Sequence, residues 1–585
     1  MLITEFIKRN NIKLNQDITI SGHDEINFLV GDIESSLDSN NQWVFEMISV
    51  TDGYQLYEFD SIIDCIEWLS EFDNETDLYF HNLDFDMLFF IKEHEFYKHF
   101  EDTKLIASGN MNISFKWLNI TFKNSLSLLP IPLKSIVTKF LHVKDIEYEN
   151  EKASVLELDR ETLRNYCNKD VYYLANALIK FQSYFKDNYN LPLGLTAPSM
   201  AFKVWKKSYL SDKEFMGNGR RHKFFDEGYY FGGHTEKFIN DEYVFRNVYY
   251  YDVNSLYPSV MRTAKFINSK LKRVKPLVST LKRLVAQSRL FYCEIVLNVD
   301  SEELRFFPSL DTATKSNKYK FGYQVVKLSE VGINFILEWG SWDNIIEVRQ
   351  ILIGEDNKEL NLFGSYVDWF YSQRKSDKGN DVIFKLLLNS LYGKFGQKLE
   401  RENKVFNATT DDYKSIIQVN KELFISTHKE EAKGYQYKNN RLDVAGKVTE
   451  TARLLMGSYI NKIRKHGKVI YTDTDSIITK VNMLEYEELK GLIDESKLGY
   501  LSDEIGYKDS FICLGQKMYH FYKSGKKATK GVKEMTLEDF KGVVRGTNNK
   551  FVNKRFSKLN ALVNRGIHGI QLVPFELKNI TQRLD

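Results

Sequence analysis

In VIYTDTDSII (residues 469–478) an apolar, β-branched run suited to the middle of a sheet carries two carboxylates, Asp473 and Asp475, one residue apart. If the segment is extended, both side chains leave on the same face and repel each other. The fold must then either expose them at a solvated hairpin tip, where Asp is common, or set positive charge beside them. A second run, NVYYYDVNSLYPSVM (247–261), reads as a strand of aromatic and β-branched residues ending at Asp252, followed by a turn with Ser255 and Pro258. Two such strands side by side gather Asp252, Asp473 and Asp475 around Mg²⁺.

Between them lies KGNDVIFKLLLNSLYGKFGQK. Its spacing predicts a helix from about Asp381 to Tyr392 with Phe384, Leu388 and Leu391 as the buried stripe. Lys385, Asn389 and Tyr392 repeat that spacing one residue round, setting a cation, an amide and an aromatic ring on one face. Such a face suits a triphosphate and a base better than bulk water. Arg374 and Lys378 extend the basic track if the helix runs through Gly379.

The first part of the chain carries a separate set of acids. In FLVGDIESS a strand pattern puts Asp32 and Glu34 on one face and Ile33 on the other, as a metal-ligand pair or an exposed edge. YFHNLDFDMLFFI predicts a strand, a turn at His81 and Asn82, and a helix start holding Asp84 and Asp86, where the helix dipole favours acids. In LRNYCNKDVYYLANAL, Val171, Leu174 and Leu178 form the buried stripe while Tyr166 and Asp170 sit one turn apart on another face. Asp32, Glu34, Asp86 and Asp170 together suit two divalent ions that activate a water, with Tyr166 orienting it.

At 585 residues the chain predicts three or more units. Strand-like runs alternate with helical patterns up to about residue 190, which is α/β character. NLPLGLTAPSMA (190–201) reads as a linker into a second mixed body, and 296–360 and 398–435 read as irregular insertions. A net charge of +2 does not advertise a polyanion partner, but QKMYHFYKSGKKATKGVK (516–533) interleaves Lys with Tyr and Phe, and basic residues continue from Lys541 through Lys558 and Arg565. Cys65, Cys167, Cys293 and Cys513 form no C-x-x-C pair, no signal-peptide core opens the chain, and no apolar run is long enough to span a bilayer, so a cytoplasmic protein is expected.

In chain order, D-x-x-S-L-Y-P, K-x-x-x-N-S-x-Y-G and Y-x-D-T-D-S resemble motifs A, B and C of the family B DNA polymerases. The first-unit acids resemble the DEDD-type 3′–5′ exonucleases that have tyrosine in the third motif. YFGG (230–233), TETAR (449–453) and KMY (517–519) are similar to elements of the protein-primed branch found in small phages. The resemblance implies an α/β multidomain fold, an RNase H-like exonuclease domain (1–190) followed by a right-hand polymerase. Its parts would be palm (191–295 and 436–525), fingers (361–397), thumb (526–585) and two insertions resembling terminal-protein regions (296–360 and 398–435).

It also implies roles. Asp252 and Asp475 would be the main ligands of two Mg²⁺, for which Mn²⁺ can substitute, with Asp473 in support. Ser255, Leu256, Tyr257, Arg374, Lys378, Lys385, Asn389 and Tyr392 would bind the dNTP. Tyr230, Gly232, Gly233, Gly393, Thr449, Arg453, Lys517 and Tyr519 would contact primer and template. In the exonuclease, Asp32, Glu34, Asp86 and Asp170 would hold the metals, Tyr166 would act with them, and Ser35, Asn82, Phe85, Ser125, Leu126 and Tyr148 would contact a frayed single strand. The implied partners of this monomer are primer-template DNA, dNTPs and a terminal protein offering a priming hydroxyl, in the host cytoplasm if a phage encodes it. An oligonucleotide-primed polymerase and an inactive DNA-binding scaffold are the alternatives.

Overall fold

The computed structural model describes residues 1–40, 42–100, 104–108, 111–144, 159–210, 223–225, 228–311, 316–356, 358–397, 400–406, 415–418, 423–431, 440–532, 535–548, 550–556 and 570–577. The apolar runs picked out above form the strands Leu29–Leu37, Thr76–Phe80, Val244–Val253 and Val469–Asp473, and Met111–Trp117 and Ile120–Asn124 are strands as well. The first unit is built on a mixed sheet in which Thr76–Phe80 runs parallel to both Leu29–Leu37 and Ile120–Asn124. Against it packs the helix Arg160–Tyr189, whose first N–H groups are capped by Asp159 through Glu161 N and Thr162 N. Every residue from Tyr166 to Leu178 is buried, so the single apolar stripe expected there is replaced by a helix enclosed on all sides. That enclosure follows from its place between the sheet and the rest of the protein.

The linker expected at 190–201 is only half a linker, because Thr196 caps a new helix, Ala197–Ser208. The described residues of both insertions, expected to be irregular, form regular strands and helices. Strand Phe291–Val299 runs through the boundary drawn at 296 and joins Leu271–Val274, Gly322–Ser329 and Ile345–Gly354 in a four-stranded sheet. Its period was masked because Tyr323 and Val325 lie exposed opposite the buried Val326 and Leu328, leaving apolar residues on both faces. The second insertion supplies the antiparallel strands Glu400–Phe406, Ser415–Gln418 and Phe424–Glu431. They extend the first unit's sheet to ten strands by pairing Lys404 and Val405 with Leu105 and Lys104, and Phe406 packs on Phe100 at 4.5 Å. An edge strand that would otherwise be open is thereby covered.

The third sheet has eight strands and centres on Val244–Val253. One side carries Ser476–Thr479, then Val469–Asp473, then Thr235–Lys237; the other carries Leu501–Asp503 and Asp509–Gly515, followed by Met518–Phe521 and Lys527–Thr529. The last pairing crosses the boundary expected at 526. Beyond it stand helix Leu537–Arg545 and the hairpin Lys550–Phe556 with Ile570–Glu576; Lys558 and Arg565 lie outside the described residues. All four cysteines are free and buried. Among the described residues no helix is long and apolar enough to cross a membrane.

Helix Leu442–Arg464 ties these bodies together through a buried row at one-turn spacing, Lys447, Glu450 and Arg453. Lys447 donates to Lys265 O and Glu330 Oε1, while the Glu450 carboxylate accepts from Ser329 N (3.0 and 3.1 Å) and from Tyr229 OH (3.2 Å). Burial pushes the Glu450 carboxyl up to about 7, against a gain for the ionised form from the Ser329 bonds and Arg453. Because the folded-state value lies above the unfolded one, the native state keeps a proton that the unfolded chain has lost, and stability falls as pH rises from about 4.5 to about 7. The contribution is about 3 kcal/mol. Glu450→Gln keeps an acceptor for Ser329 and cannot ionise. Calorimetry at pH 5 and pH 8 is therefore expected to show the variant gaining on the wild type by several degrees at the higher pH; parallel slopes would contradict this.

Candidate active site

The pairing of Ser476 with Asp252 in the third sheet brings both acidic runs to one end. Asp473 and Asp475 are not extended neighbours. Asp473 closes one strand, Thr474 turns in the left-handed region (φ 67°), and Asp475 N donates to Asp473 O at 2.8 Å, so a tight hairpin separates the two side chains. The turn is held from outside: Thr474 N donates to His234 O (2.7 Å), and Val253 N donates to Asp475 O (2.8 Å). A Cβ on Gly233 would stand 2.7 Å from the Thr474 side chain, so only glycine lets that segment lie this close.

The carboxylates then divide. Asp473 accepts from Lys517 Nζ (2.6 Å) and from Thr235 Oγ1 (2.9 Å) and is neutralised within the protein. Asp252 is pushed up to about 7, first by burial, then by the charges of Asp475 and Glu504, against Lys526 and Lys385. Asp475 is also raised, by burial and then by Asp473. Two part-buried carboxylates, both raised by burial and by neighbouring acids, form a site short of positive charge. Thr235 and Glu504 escaped the sequence reading, which noted Lys526 only within the basic stretch 516–533. Lys526 Nζ donates to Glu504 Oε2 at 2.9 Å, and Ser502 Oγ donates to Glu504 Oε1 at 3.3 Å.

The helix Asp381–Phe395 buries Phe384, Leu388 and Leu391 and exposes Lys385 and Asn389, as the spacing predicts. Tyr392 stacks on Tyr257, with ring centroids 4.5 Å apart and an interplanar angle of 25°. The basic track does not run through Gly379 as one helix. Gly364–Ser376 ends, a 3₁₀ turn Lys378–Asn380 intervenes, and Asp377 caps it. Lys378 Nζ is spent on Arg374 O (2.7 Å), whereas Arg374 bridges Asp381 Oδ1 (2.9 Å) and Ser255 Oγ (3.5 Å) at the site's edge. Ser255, in the left-handed region at φ 53°, opens helix Leu256–Thr263, whose Leu256 side chain is buried. The N–H groups of that first turn have no partner within the helix.

Several expected DNA contacts are internal. Thr449 is buried and its hydroxyl donates to Ala445 O and Gly446 O of its own helix. Arg453 is buried too, with Nη1 donating to Phe231 O (2.8 Å) and Gly232 O (3.0 Å), so it fixes the loop leading to Gly233. Tyr230 packs on Gly396. Gly232 and Gly393 face open space, Lys517 reaches Asp473, and Tyr519 lies against Tyr471 at 5.4 Å.

In the first unit, Asp32 and Glu34 stand on strand Leu29–Leu37, and a bulge between Glu34 and Ser35 re-aims the chain. Asp86, buried in the first turn of Leu83–Phe90, accepts from the Ile33 backbone, and burial raises its carboxyl well above the usual range. Tyr166 is pushed up first by burial, then by the charges of Asp170, Glu34 and Asp32, which places all three carboxylates around one phenol. The sequence reading missed Cys167. Its Sγ and the Asp32 and Glu34 carboxylates lie within 4.8 Å of one another, and the only signal was its position beside Tyr166. Asn82 (φ 96°) and Phe85, edge-on to Trp43 at 5.2 Å, border the site. Ser125 is fully buried and donates to Phe80 O, a correction to its expected strand contact. Leu126 N donates to Asn124 Oδ1 at 3.1 Å, and Tyr148 lies outside the described residues.

Both clusters offer carboxylate oxygens, the first with the Cys167 thiol beside them, and carboxylates gathered in this way fit divalent cations. A family model described as DNA polymerase type B, organellar and viral, matches residues 136–466. A "Probable DNA polymerase" of Podospora anserina is 28% identical over 413 residues, covering 62% of this chain and 32% of that protein; the chain thus spans about a third of that relative's length. The DNA polymerase of Bacillus phage Nf is 26% identical over 540 residues, covering 83% and 85%. A solved Phi29 DNA polymerase complexed with primer-template DNA has the same fold, with a TM-score of 0.70 at 20% identity over 94% of this chain and 100% of that one.

Proposed function

Because this chain belongs to the organellar and viral type B DNA polymerases, we propose that it adds dNTPs to a primer 3′-hydroxyl on a DNA template and trims frayed 3′ ends at a second centre. The observation that carries this is the pairing of Asp252 with the hairpin bearing Asp475, with Lys385 close enough to act on Asp252 and Tyr392 close enough to feel Asp475. Bound by Asp252 and Asp475, Mg²⁺ or Mn²⁺ supplies hydroxyl activation and charge neutralisation for the transfer.

The chain's own groups do the positioning. The first-turn N–H groups after Ser255, Arg374 at the Ser255 hydroxyl, and Lys385 receive the triphosphate. The stacked Tyr257 and Tyr392 form a flat floor for sugar and base. Lys517, bonded to Asp473, stands where a primer terminus meets the carboxylates. At the second centre Asp32, Glu34, Asp86 and Asp170 would hold the cations, and Tyr166, kept protonated by burial and surrounding charge, would donate to the attacking water. The acceptor can equally be a serine, threonine or tyrosine hydroxyl of a priming protein. The second insertion, continuous with the first unit's sheet, supports a DNA-enclosing role consistent with strand displacement.

The test is a primer-template duplex incubated with Mg²⁺. Extension is expected with dNTPs and shortening without them. A folded protein that does neither overturns the proposal.

A further inference from the structure

The helix that carries Tyr166 and Asp170 continues to Tyr189, and its far part grips the nucleotide-binding helix of the other unit. Lys180, only 11% exposed, makes an ion pair with Asp17 Oδ1 at 2.7 Å. Its ammonium also donates to Phe140 O (2.6 Å) and to Gly379 O (2.8 Å). Gly379 lies in the 3₁₀ turn immediately before Asp381, the first residue of the helix bearing Lys385, Asn389 and Tyr392. The grip is itself braced: Thr19 N and Ile20 N donate to Asn176 Oδ1 (2.8 and 3.0 Å), and Asp17 also meets His142 Nδ1 (3.0 Å). A little further along, Tyr184 packs edge-on against Phe384 at 5.8 Å. Tyr166 and Lys180 are about 21 Å apart along one helix axis.

We infer that Lys180 is a positioning residue for nucleotide binding: from the exonuclease-like unit it fixes the turn at Gly379, and so the approach to the triphosphate of Lys385 and of Arg374, which Asp381 holds. A buried ammonium that satisfies a carboxylate and two carbonyls at once is costly to leave incomplete, so the turn is held in one place. Losing that hold misplaces the nucleotide face without touching a reacting atom. The inference rests on the polymerase reading above.

The experiment compares Lys180→Met and Lys180→Arg with the wild type, after calorimetry has shown cooperative unfolding; Lys180→Gln replaces the methionine variant if that one does not fold. Single-nucleotide incorporation is expected to show the KM for dNTP raised about five- to tenfold in K180M, with kcat and degradation of single-stranded DNA within about twofold of wild type. K180R should recover most of the loss, because a guanidinium can still span the carboxylate and a carbonyl. Hydrogen exchange of the amides at 378–382 should quicken in K180M, a readout that needs no activity. An unchanged KM together with unchanged exchange overturns the inference. If the wild type fails to extend a primer, the polymerase reading falls, while the exchange data still decide whether Lys180 braces the turn.

Discussion

Asp475→Ala is expected to lower nucleotide incorporation by on the order of 10³ or more while leaving single-strand degradation at the wild-type rate. The loss follows from the division of labour at the hairpin. Asp473 already has Lys517 and Thr235 as partners, whereas Asp475 and Asp252 are both held above the usual carboxylate range by burial and by neighbouring acids. Removing one of the two leaves too few oxygen donors for a divalent cation. The fold should not suffer, because the turn is held by backbone bonds from His234 and Val253 that alanine keeps, and a like-charge repulsion disappears. Asp473→Ala serves as the comparison: it frees Lys517 and should reduce incorporation less. Primer extension and single-strand shortening, measured on the same folded preparation, decide the matter. Loss of both activities in Asp475→Ala would mean that the two centres are not separate.

What the sequence revealed was set by the range of the interactions involved. The strands bearing Asp252 and Asp473, and the helix face of Lys385, Asn389 and Tyr392, are written in local periodicity, with ends that shift to Val253 and Phe395. Partners supplied by sheet pairing are invisible at that level. Thr235 arrives on an edge strand paired with Asp473, and Glu504 follows the strand paired with Tyr251 and Asp252. Nothing at those positions separates them from ordinary surface residues. The motif matches single out Thr449 and Arg453 as DNA contacts, but both are spent on backbone groups inside the protein, Thr449 within its own helix and Arg453 on the loop before Gly233. The insertions were misread for a different reason. Their strands carry apolar residues on both faces or complete another unit's sheet, so alternation within the segment does not report burial.

The double variant Asp32→Ala with Glu34→Ala is expected to give the converse result: single-strand degradation reduced by on the order of 10³, with primer extension intact and misincorporated ends persisting. Both residues stand on the strand Leu29–Leu37, with Ile33 between them in the core and its N–H held by Asp86, so alanines leave the strand's backbone ladder in place. Two of the charges that surround Tyr166 vanish, which should lower its phenol towards the ordinary range and can be followed by ultraviolet titration. The polymerase carboxylates belong to a different sheet and share no strand with this one. The link from the first unit to the turn at Gly379 runs through Lys180, further along the same helix as Tyr166 and Asp170, and neither alanine alters it. The dNTP KM should therefore stay at its wild-type value in the double variant. A rise there, with Lys180 intact, would mean that the first unit acts on nucleotide binding through its metal centre and not through the grip on Gly379.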